Sequence, residues 1–253
     1  MDERHVEMPL FFLKEEVQMI VRMGLLTRKQ NLSPETFAGH WQNSHGDLVR
    51  RQMPELSGYV QNRVVDRSQK GIDYKRGSFE VDGISQLFFN TLSAMRRSTS
   101  SQTVAMLAED EAQFIGDMSV VTAVQNVVLA PPVKGEFVKR MSFLRKRADI
   151  SSERFQDEWF NMHSVLVKRL PGILGYRQNL VIDRRKDRLN DSEPDPEVSI
   201  DGVVELWFEN ADAIDRAFRS PCGNTTMMHA QEFISEISTY MVDAVEIVPE
   251  TGH

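Results

Sequence analysis

Two stretches of the chain decide the fold, because they repeat each other. Residues 33–67 read SPETFAGHWQNSHGDLVRRQMPELSGYVQNRVVDR, and residues 151–184 read SSERFQDEWFNMHSVLVKRLPGILGYRQNLVIDR. With a single one-residue gap, 17 of the 34 aligned positions are identical. A second block runs without gaps at an offset of 119 and pairs Asp82-Gly83 with Asp201-Gly202. Self-similarity this dense indicates a tandem duplication.

The duplication divides the chain into five parts. We expect an N-terminal extension at residues 1–16, a first repeat at 17–129, a linker at 130–136, a second repeat at 137–248 and a tail at 249–253. The joint falls at Ala130-Pro131-Pro132, because paired prolines interrupt both helix and sheet.

Each repeat shows the pattern of six elements in the order strand, helix, strand, strand, helix, strand. Residues 17–25 alternate between apolar and polar positions, which is typical of a half-buried strand. Phe37, Trp41 and His45 then recur at helical spacing and share one helix face, as their counterparts do in the second repeat. A looser second helix is expected at residues 109–116 and 227–236. The order βαββαβ is the ferredoxin-like split motif, so the sequence predicts an α+β fold.

Composition narrows the classes of function. The 253 residues are 41% hydrophobic and 26% charged, which is ordinary for a globular protein. A net charge of −7 argues against nucleic-acid binding, and no apolar stretch approaches the ~20 residues that span a membrane. The single cysteine, Cys222, cannot form an internal disulfide. We therefore expect a cytoplasmic protein whose partner is a small molecule, not a nucleic acid or a membrane.

The repeated motifs resemble those of the EthD family, which belongs to the dimeric α+β barrel superfamily. They are Trp-x-x-x-His on the first helix, Gly-Tyr-x-Gln-Asn entering a strand, and Asp-Gly opening the next strand, and both repeats carry them. Members of the family usually pair two single-domain chains, sheet against sheet. The resemblance thus implies an α+β barrel built within one chain, as a pseudo-dimer, and a possible further homodimer. The first repeat departs from the pattern with Gln86 and Phe88, where the second has Glu205 and Trp207.

The resemblance also implies a class of chemistry. The superfamily includes lactone isomerases, cofactor-free monooxygenases, haem-degrading enzymes and dehydratase-like proteins. We expect a small-molecule enzyme without an organic cofactor that transfers protons on a hydrophobic carbonyl compound, as an isomerase, lyase or dehydratase does. The alternatives are an oxidoreductase, either a cofactor-free monooxygenase or a haem-binding protein, and a non-catalytic binding protein. A nucleotide-binding glycine motif and clustered zinc ligands are both missing from the sequence, so neither a nucleotide cofactor nor a metal is predicted.

Two histidines are the first candidates for catalysis. An imidazole titrates near neutrality, so His45 and His163 are predicted to be general acids or bases, with a buried structural role as the alternative. Tyr59 and Tyr176 follow a glycine at a strand start and are predicted to hydrogen-bond a substrate carbonyl. The predicted substrate-binding residues are Trp41, Trp159, Asn62, Asn179, Asp201 and Glu205. The alternative role is core packing for the tryptophans and a turn for Asp201, while the asparagines either bridge strand edges or orient the histidine.

The second repeat is expected to hold the dominant site. If Glu205 lay beside the imidazole, its carboxylate would raise the pKa of that ring. The charged, proline-containing segment 184–197 is either a solvated loop or a lid over a pocket. Arg22 and Arg140 align on the first strands, where they either bind an anion or occupy an exposed strand face.

Overall fold

The two repeats form the same series of elements. The computed structural model describes residues 18–186 and 197–251. The first repeat contains β1 (Ile20–Arg28), α1 (Pro34–His40), α2 (Gly46–Gln52), β2 (Gly58–Asp66), β3 (Gly83–Phe89), α3 (Leu92–Ser98), α4 (Ser101–Phe114) and β4 (Ile115–Leu129). The second contains β5 (Val138–Lys146), α5 (Ser152–Asp157), α6 (Ser164–Val167), β6 (Ile173–Arg185), β7 (Gly202–Phe208), α7 (Ala211–Arg219), α8 (Pro221–Ala230) and β8 (Ile234–Val248). π-Helical segments join α1 to α2 (Trp41–His45) and α5 to α6 (Glu158–His163).

The eight strands close into one antiparallel barrel in the order β1-β3-β2-β8-β5-β7-β6-β4. Within each repeat the sheet has the ferredoxin-like order, β4-β1-β3-β2 and β8-β5-β7-β6. The barrel closes where β2 pairs with β8 and β4 pairs with β6, so each closing pair takes one strand from each repeat. The predicted α+β pseudo-dimer within one chain is confirmed, while the five domain bounds stay predictions.

Side-chain caps set the starts of the helices. Ser33 accepts a hydrogen bond from Thr36 N and Pro34 occupies the first turn of α1, as the sequence predicts. The prediction of a single looser helix between the third and fourth strands of each repeat is wrong, because each repeat has two helices in that part of the chain. Thr91 and Ser100 cap α3 and α4 in the first repeat, and Asn210 and Ser220 cap the matching pair in the second. Within residues 18–186 and 197–251, none of the helices has the length and hydrophobicity that a membrane-spanning helix needs.

Strand alternation creates separate cores on the two faces of the sheet. The barrel interior is filled from both repeats, with Met23, Met141 and Tyr240 among its fully buried members. The helices cover the outer faces. In the second repeat the apolar residues between helices and sheet form one continuous cluster around Trp159. In the first repeat they form two clusters, one around Trp41 and the other around residues of α2 and β2.

The repeated Asp-Gly motif has a packing explanation. A Cβ on Gly83 would lie 2.5 Å from the Trp41 indole, and a Cβ on Gly202 would lie 2.5 Å from the Trp159 indole. Each tryptophan ring therefore packs directly against a glycine, at a position where any larger residue would clash with the ring. The aspartate before Gly202 accepts hydrogen bonds from Lys146 N at 2.8 Å and from Arg184, so Asp201 ties together two chain segments at the strand end.

We expect Gly83→Ala and Gly202→Ala each to lower the free energy of unfolding by about 1–3 kcal/mol, because the added methyl group overpacks a buried indole. Gly39→Ala is the matched control. Its Cβ meets no atom within 4 Å, and alanine in a helix should stabilise by about 0.5–1 kcal/mol. Urea denaturation of the three variants measures the differences. Equal effects at Gly39 and Gly83 would contradict this packing role.

Candidate active site

The sheet separates the predicted site residues into two groups. The histidines, tyrosines and tryptophans lie on the outer, helix-covered face. Asn62, Asn179 and Glu205 point into the barrel interior, where Asn179 Nδ2 donates to Glu205 Oε1 and Asn62 bonds to Gln86 and Lys139. Asp201 belongs to neither group and lies just before β7. The structure therefore does not bring His163, Tyr176 and Asn179 together in one site, although the sequence predicted that it would. Asn179 lies across the sheet from the other two.

An enclosed cavity of about 40 Å³ lies between helices and sheet in the first repeat. It has room for about three water molecules. Its polar and aromatic lining residues are Arg22, Trp41, His45, Tyr59, Ser85, Thr99 and Glu111. The cavity separates the two apolar clusters of this repeat. It brings together three sequence-predicted residues with Arg22, for which anion binding was one of two predicted roles, and with Glu111, which was not selected from the sequence.

Two carboxylates flank the His45 ring. Its Nδ1 lies 2.8 Å from Asp110 Oδ2, and its Nε2 lies 3.5 Å from Glu111 Oε1. The other oxygen of Asp110 is 2.9 Å from His40 Nε2, and the His45 ring packs against Phe114. A carboxylate on Nδ1 fixes the orientation of an imidazole and stabilises the imidazolium that forms when Nε2 takes a proton.

The helix carrying His45 is locally π-helical. Gly46 N donates to Trp41 O across the wider turn, and both Trp41 and His45 are buried on the side that faces the sheet. Such π-helical turns often occur at functional sites. The spacing of four residues in the sequence shows that the two side chains share a face, but it contains no signal for the widened turn.

Each tyrosine is held by a glutamine two residues later. Gln61 Nε2 donates to Tyr59 Oη at 2.8 Å and to Trp41 O at 2.7 Å. Gln178 repeats both bonds with Tyr176 and the carbonyl of Trp159. Burial raises the pKa of both phenols, so each stays protonated and can donate. The glutamines were not selected from the sequence, although the repeated Gly-Tyr-x-Gln-Asn motif contains the signal.

A larger groove lies on the outer side of α4. Its volume is about 480 Å³, and the small residues Ala105, Ala108 and Ala112 form much of its wall. Four residues, Val104, Glu111, Ile115 and Met118, line both the groove and the enclosed cavity. These four residues therefore lie between the groove and the cavity, and Glu111 is the charged residue among them.

The second repeat surrounds its histidine differently. His229 occupies the position of Asp110, and its Nδ1 lies 3.2 Å from His163 Nδ1. Burial and the neighbouring His229 lower the pKa of His163 to about 3. The expectation that Glu205 raises the pKa of this ring is wrong, because Glu205 lies on the opposite face of the sheet. The segment expected to be a loop or lid, 184–197, falls largely outside the described residues.

Inside the barrel, Glu205 belongs to a buried polar network. Lys139 Nζ lies 2.6 Å from Glu205 Oε2, and Gln86 and Asn179 each donate to Oε1 at 2.9 Å. Lys139 also donates to Asn62 Oδ1 at 2.9 Å. Burial alone would raise the pKa of Glu205, but Lys139 reverses this and the pKa is lowered. Glu205 is therefore an ionised partner of Lys139, and both are held away from the histidines.

Arg22 and Arg140 are buried on the helix-covered face, so the interpretation as an exposed strand face is wrong. Arg22 lines the first-repeat cavity. Arg140 lies with its guanidinium carbon 4.6 Å from the centre of the Phe218 ring. Among the described residues, no group of three or more histidines, cysteines or carboxylates is placed to hold a metal ion.

The sequence model of the EthD domain matches residues 29–117 and again 147–236. The chain belongs to the EthD family. Its two EthD domains correspond to the two repeats of the barrel. No curated protein matches the chain in sequence.

Several solved structures share the fold of this EthD protein. A candidate monooxygenase from Fusobacterium nucleatum has a TM-score of 0.56 at 8% identity, covering 90% of this chain and 93% of that one. An anthrone oxidase-like protein has a TM-score of 0.53 at 8% identity, covering 94% and 97%. A candidate monooxygenase from Lactobacillus acidophilus has a TM-score of 0.51 at 11% identity, covering 91% and 95%. At these identities the similarity establishes the fold alone.

Removal of the Glu205 carboxylate should destabilise the barrel. Glu205→Gln leaves the Lys139 ammonium buried without its counter-charge, which costs about 3–5 kcal/mol in the free energy of unfolding. Replacing both residues, as Lys139→Met with Glu205→Leu, should recover most of that loss, because no buried charge is then left unpaired. Chemical denaturation measures both. A Glu205→Gln variant as stable as the wild type would contradict the assignment.

The pKa of His163 predicts a pH dependence of stability. Below pH 6.5 the unfolded chain binds a proton on this ring, while the folded chain does so only near pH 3. The unfolded state thus holds more protons in this range, and the free energy of unfolding falls by up to about 1.4 kcal/mol per pH unit as pH is lowered. The groups that face the ring are His229 and, through it, Glu158.

His163→Gln should make this pH dependence shallower between pH 6.5 and 4.5. Urea denaturation at several pH values measures it. Equal slopes for wild type and His163→Gln would show that His163 is protonated in the folded chain as readily as in the unfolded one.

Proposed function

We propose that this EthD protein is a small-molecule enzyme that moves a proton on a hydrophobic carbonyl compound, without an organic cofactor, in the cavity of the first repeat. One observation carries the proposal. His45 has Asp110 on Nδ1 and Glu111 beside Nε2, and it lines an enclosed cavity that borders an apolar groove. This is the arrangement of a general base with an orienting carboxylate.

The groove and the cavity bind different parts of the substrate. The apolar body of the substrate lies in the groove along α4, whose volume falls in the range of small-molecule sites. The carbonyl group passes Glu111 and enters the cavity. Since the cavity holds about three water-sized groups, it admits the reacting atoms and not the whole molecule.

Proton transfer then follows from the lining residues. His45 Nε2 removes a proton from the carbon next to the carbonyl, and Asp110 stabilises the imidazolium. The negative charge that develops on the carbonyl oxygen is stabilised by Arg22 and by the protonated Tyr59 hydroxyl, both of which line the cavity. Return of the proton to a different carbon yields an isomer, and loss of a leaving group from the enolate yields a lyase or dehydratase product.

An oxidoreductase is the second candidate, supported by the same proton-abstraction geometry. A carbanion formed by His45 can react with dissolved O₂ as co-substrate, and the solved structures with this fold include an anthrone oxidase-like protein and two candidate monooxygenases. A haem macrocycle does not fit a cavity of about 40 Å³. A cytoplasmic location and a homodimer stay predictions, tested by cell fractionation and light scattering.

This proposal places the active site in the first repeat, whereas the sequence analysis expected the dominant site in the second repeat. In the second repeat the matching histidine is paired with another imidazole, the position of Glu111 is occupied by Ala230, and the apolar cluster is continuous. A ring whose pKa is lowered to about 3 is a weak base. We therefore assign a packing role to His163.

The test uses phenylacetone as probe, and NMR in the absence of O₂ follows the exchange for deuterium of the methylene protons next to its carbonyl group. His45→Gln should lower the rate by about 10²–10⁴-fold, because it removes the positioned base. Asp110→Asn should lower it less, and His163→Gln should leave it nearly unchanged. Circular dichroism and the melting temperature control for folding.

Two outcomes would contradict the proposal. Loss of exchange in His163→Gln with retention in His45→Gln would place the site in the other repeat. Binding of phenylacetone without exchange, equally in all variants, would favour a non-catalytic binding protein. Consumption of O₂ by wild type, lost in His45→Gln, would select the oxidoreductase.

A further inference from the structure

The second repeat contains a buried cation without a hydrogen-bonded counter-charge. Arg140 lies on β5 with 3% of its surface exposed. Among the described residues, its Nε and Nη1 atoms have no hydrogen-bond partner. Its neighbour Lys139, on the other face of the same strand, is by contrast paired with Glu205. Burying an unpaired charge costs several kcal/mol, so a persistent guanidinium in this position indicates a missing anionic partner.

The first repeat has a carboxylate in the same cavity as the equivalent arginine. Strand register makes Arg22 and Arg140 equivalent, because Arg22 lies opposite Leu87 and Arg140 opposite Leu206, two leucines that match in the duplicated sequence. In the first repeat Arg22 shares its cavity with Glu111.

The helix residue that corresponds to Glu111 is Ala230. The helices match at Phe114 and Phe233, which pack against Phe37 and Phe155 at 5.7 and 5.8 Å. Counting back three residues from each phenylalanine gives Glu111 in α4 and Ala230 in α8. The second repeat has therefore kept the arginine and lost the carboxylate side chain.

A surface groove leads towards this arginine. Its volume is about 560 Å³, and it lies between residues 68–73 of the first repeat and the helices α7 and α8. Phe218 both borders the groove and stacks on the Arg140 guanidinium. Asp215 also borders the groove and opposes the effect of burial, which lowers the pKa of Arg140 to about 9. The guanidinium is thus charged at neutral pH, and the Phe218 ring lies between it and the groove.

We propose that the second repeat binds a carboxylate-bearing small molecule, whose carboxylate pairs with Arg140 in the position that Glu111 occupies in the first repeat. The planar guanidinium matches a carboxylate in shape and charge. The rest of the ligand displaces the Phe218 ring and extends into the groove. The site is separate from the His45 cavity and does not depend on the chemistry proposed there.

Sodium benzoate is the probe, titrated into the full chain by calorimetry and thermal denaturation. Sodium chloride and sodium phosphate at equal ionic strength separate a carboxylate site from one for any anion. We expect saturable one-to-one binding of benzoate and a melting temperature that rises with its concentration. Arg140→Met should weaken binding at least tenfold, whereas Arg154→Met, a change at an exposed arginine of the same repeat, should leave it unchanged.

Ala230→Glu provides a second variant that keeps the arginine. The new side chain supplies the carboxylate from within the chain, so benzoate binding should be lost while circular dichroism shows a folded protein. This variant decides the question if Arg140→Met fails to fold.

Three results would overturn the assignment. They are the absence of saturable benzoate binding to wild type, binding that persists in both Arg140→Met and Ala230→Glu, and phosphate binding as tight as that of benzoate. The last would show a general anion site in place of a carboxylate site.

Discussion

Closure of the barrel is the constraint on which the rest of the structure depends. The four-stranded sheet of one repeat would leave two strand edges with unpaired backbone groups. Pairing β2 with β8 and β4 with β6 removes those edges and buries one face of each sheet against the other. The long strands β4 and β8, of 15 residues each, make this possible because each reaches across to the other repeat. Neither repeat completes its own core.

Closure of the barrel also determines where charged and polar side chains can lie. Lys139 and Glu205 are buried in the barrel interior, where a charge is stable only beside a partner of opposite charge. Lys139 and Glu205 of the second repeat are joined to Asn62 and Gln86 of the first, and the network therefore connects the two repeats. The spaces left for small molecules lie outside the sheet, beneath the helices. There the two repeats are free to differ without disturbing the barrel.

Much of this architecture could be predicted from the sequence. The duplication, the order of elements and the shared helix face of Trp41 and His45 all follow from repeats and spacing. The placement of Tyr59 and Asn62 on opposite faces of the sheet could also have been predicted, because residues three apart on a strand point to opposite faces. The π-helical turn and the pairing of His45 with Asp110 could not be predicted, since they depend on how two distant helices approach each other. Lys139 was missed because its counterpart, Val21, is apolar.

The two histidines have different partners, although the two repeats share one fold. A base that gains a proton during turnover benefits from nearby negative charge, and His45 has two carboxylates against its ring. His163 instead stacks on His229, and two adjacent imidazoles disfavour a second positive charge. The aspartate-to-histidine difference at positions 110 and 229 thus replaces a carboxylate–imidazole pair with a contact between two imidazoles. Ala230 stands next to it in place of Glu111, so the helix of the second repeat brings no carboxylate side chain towards Arg140 at that position.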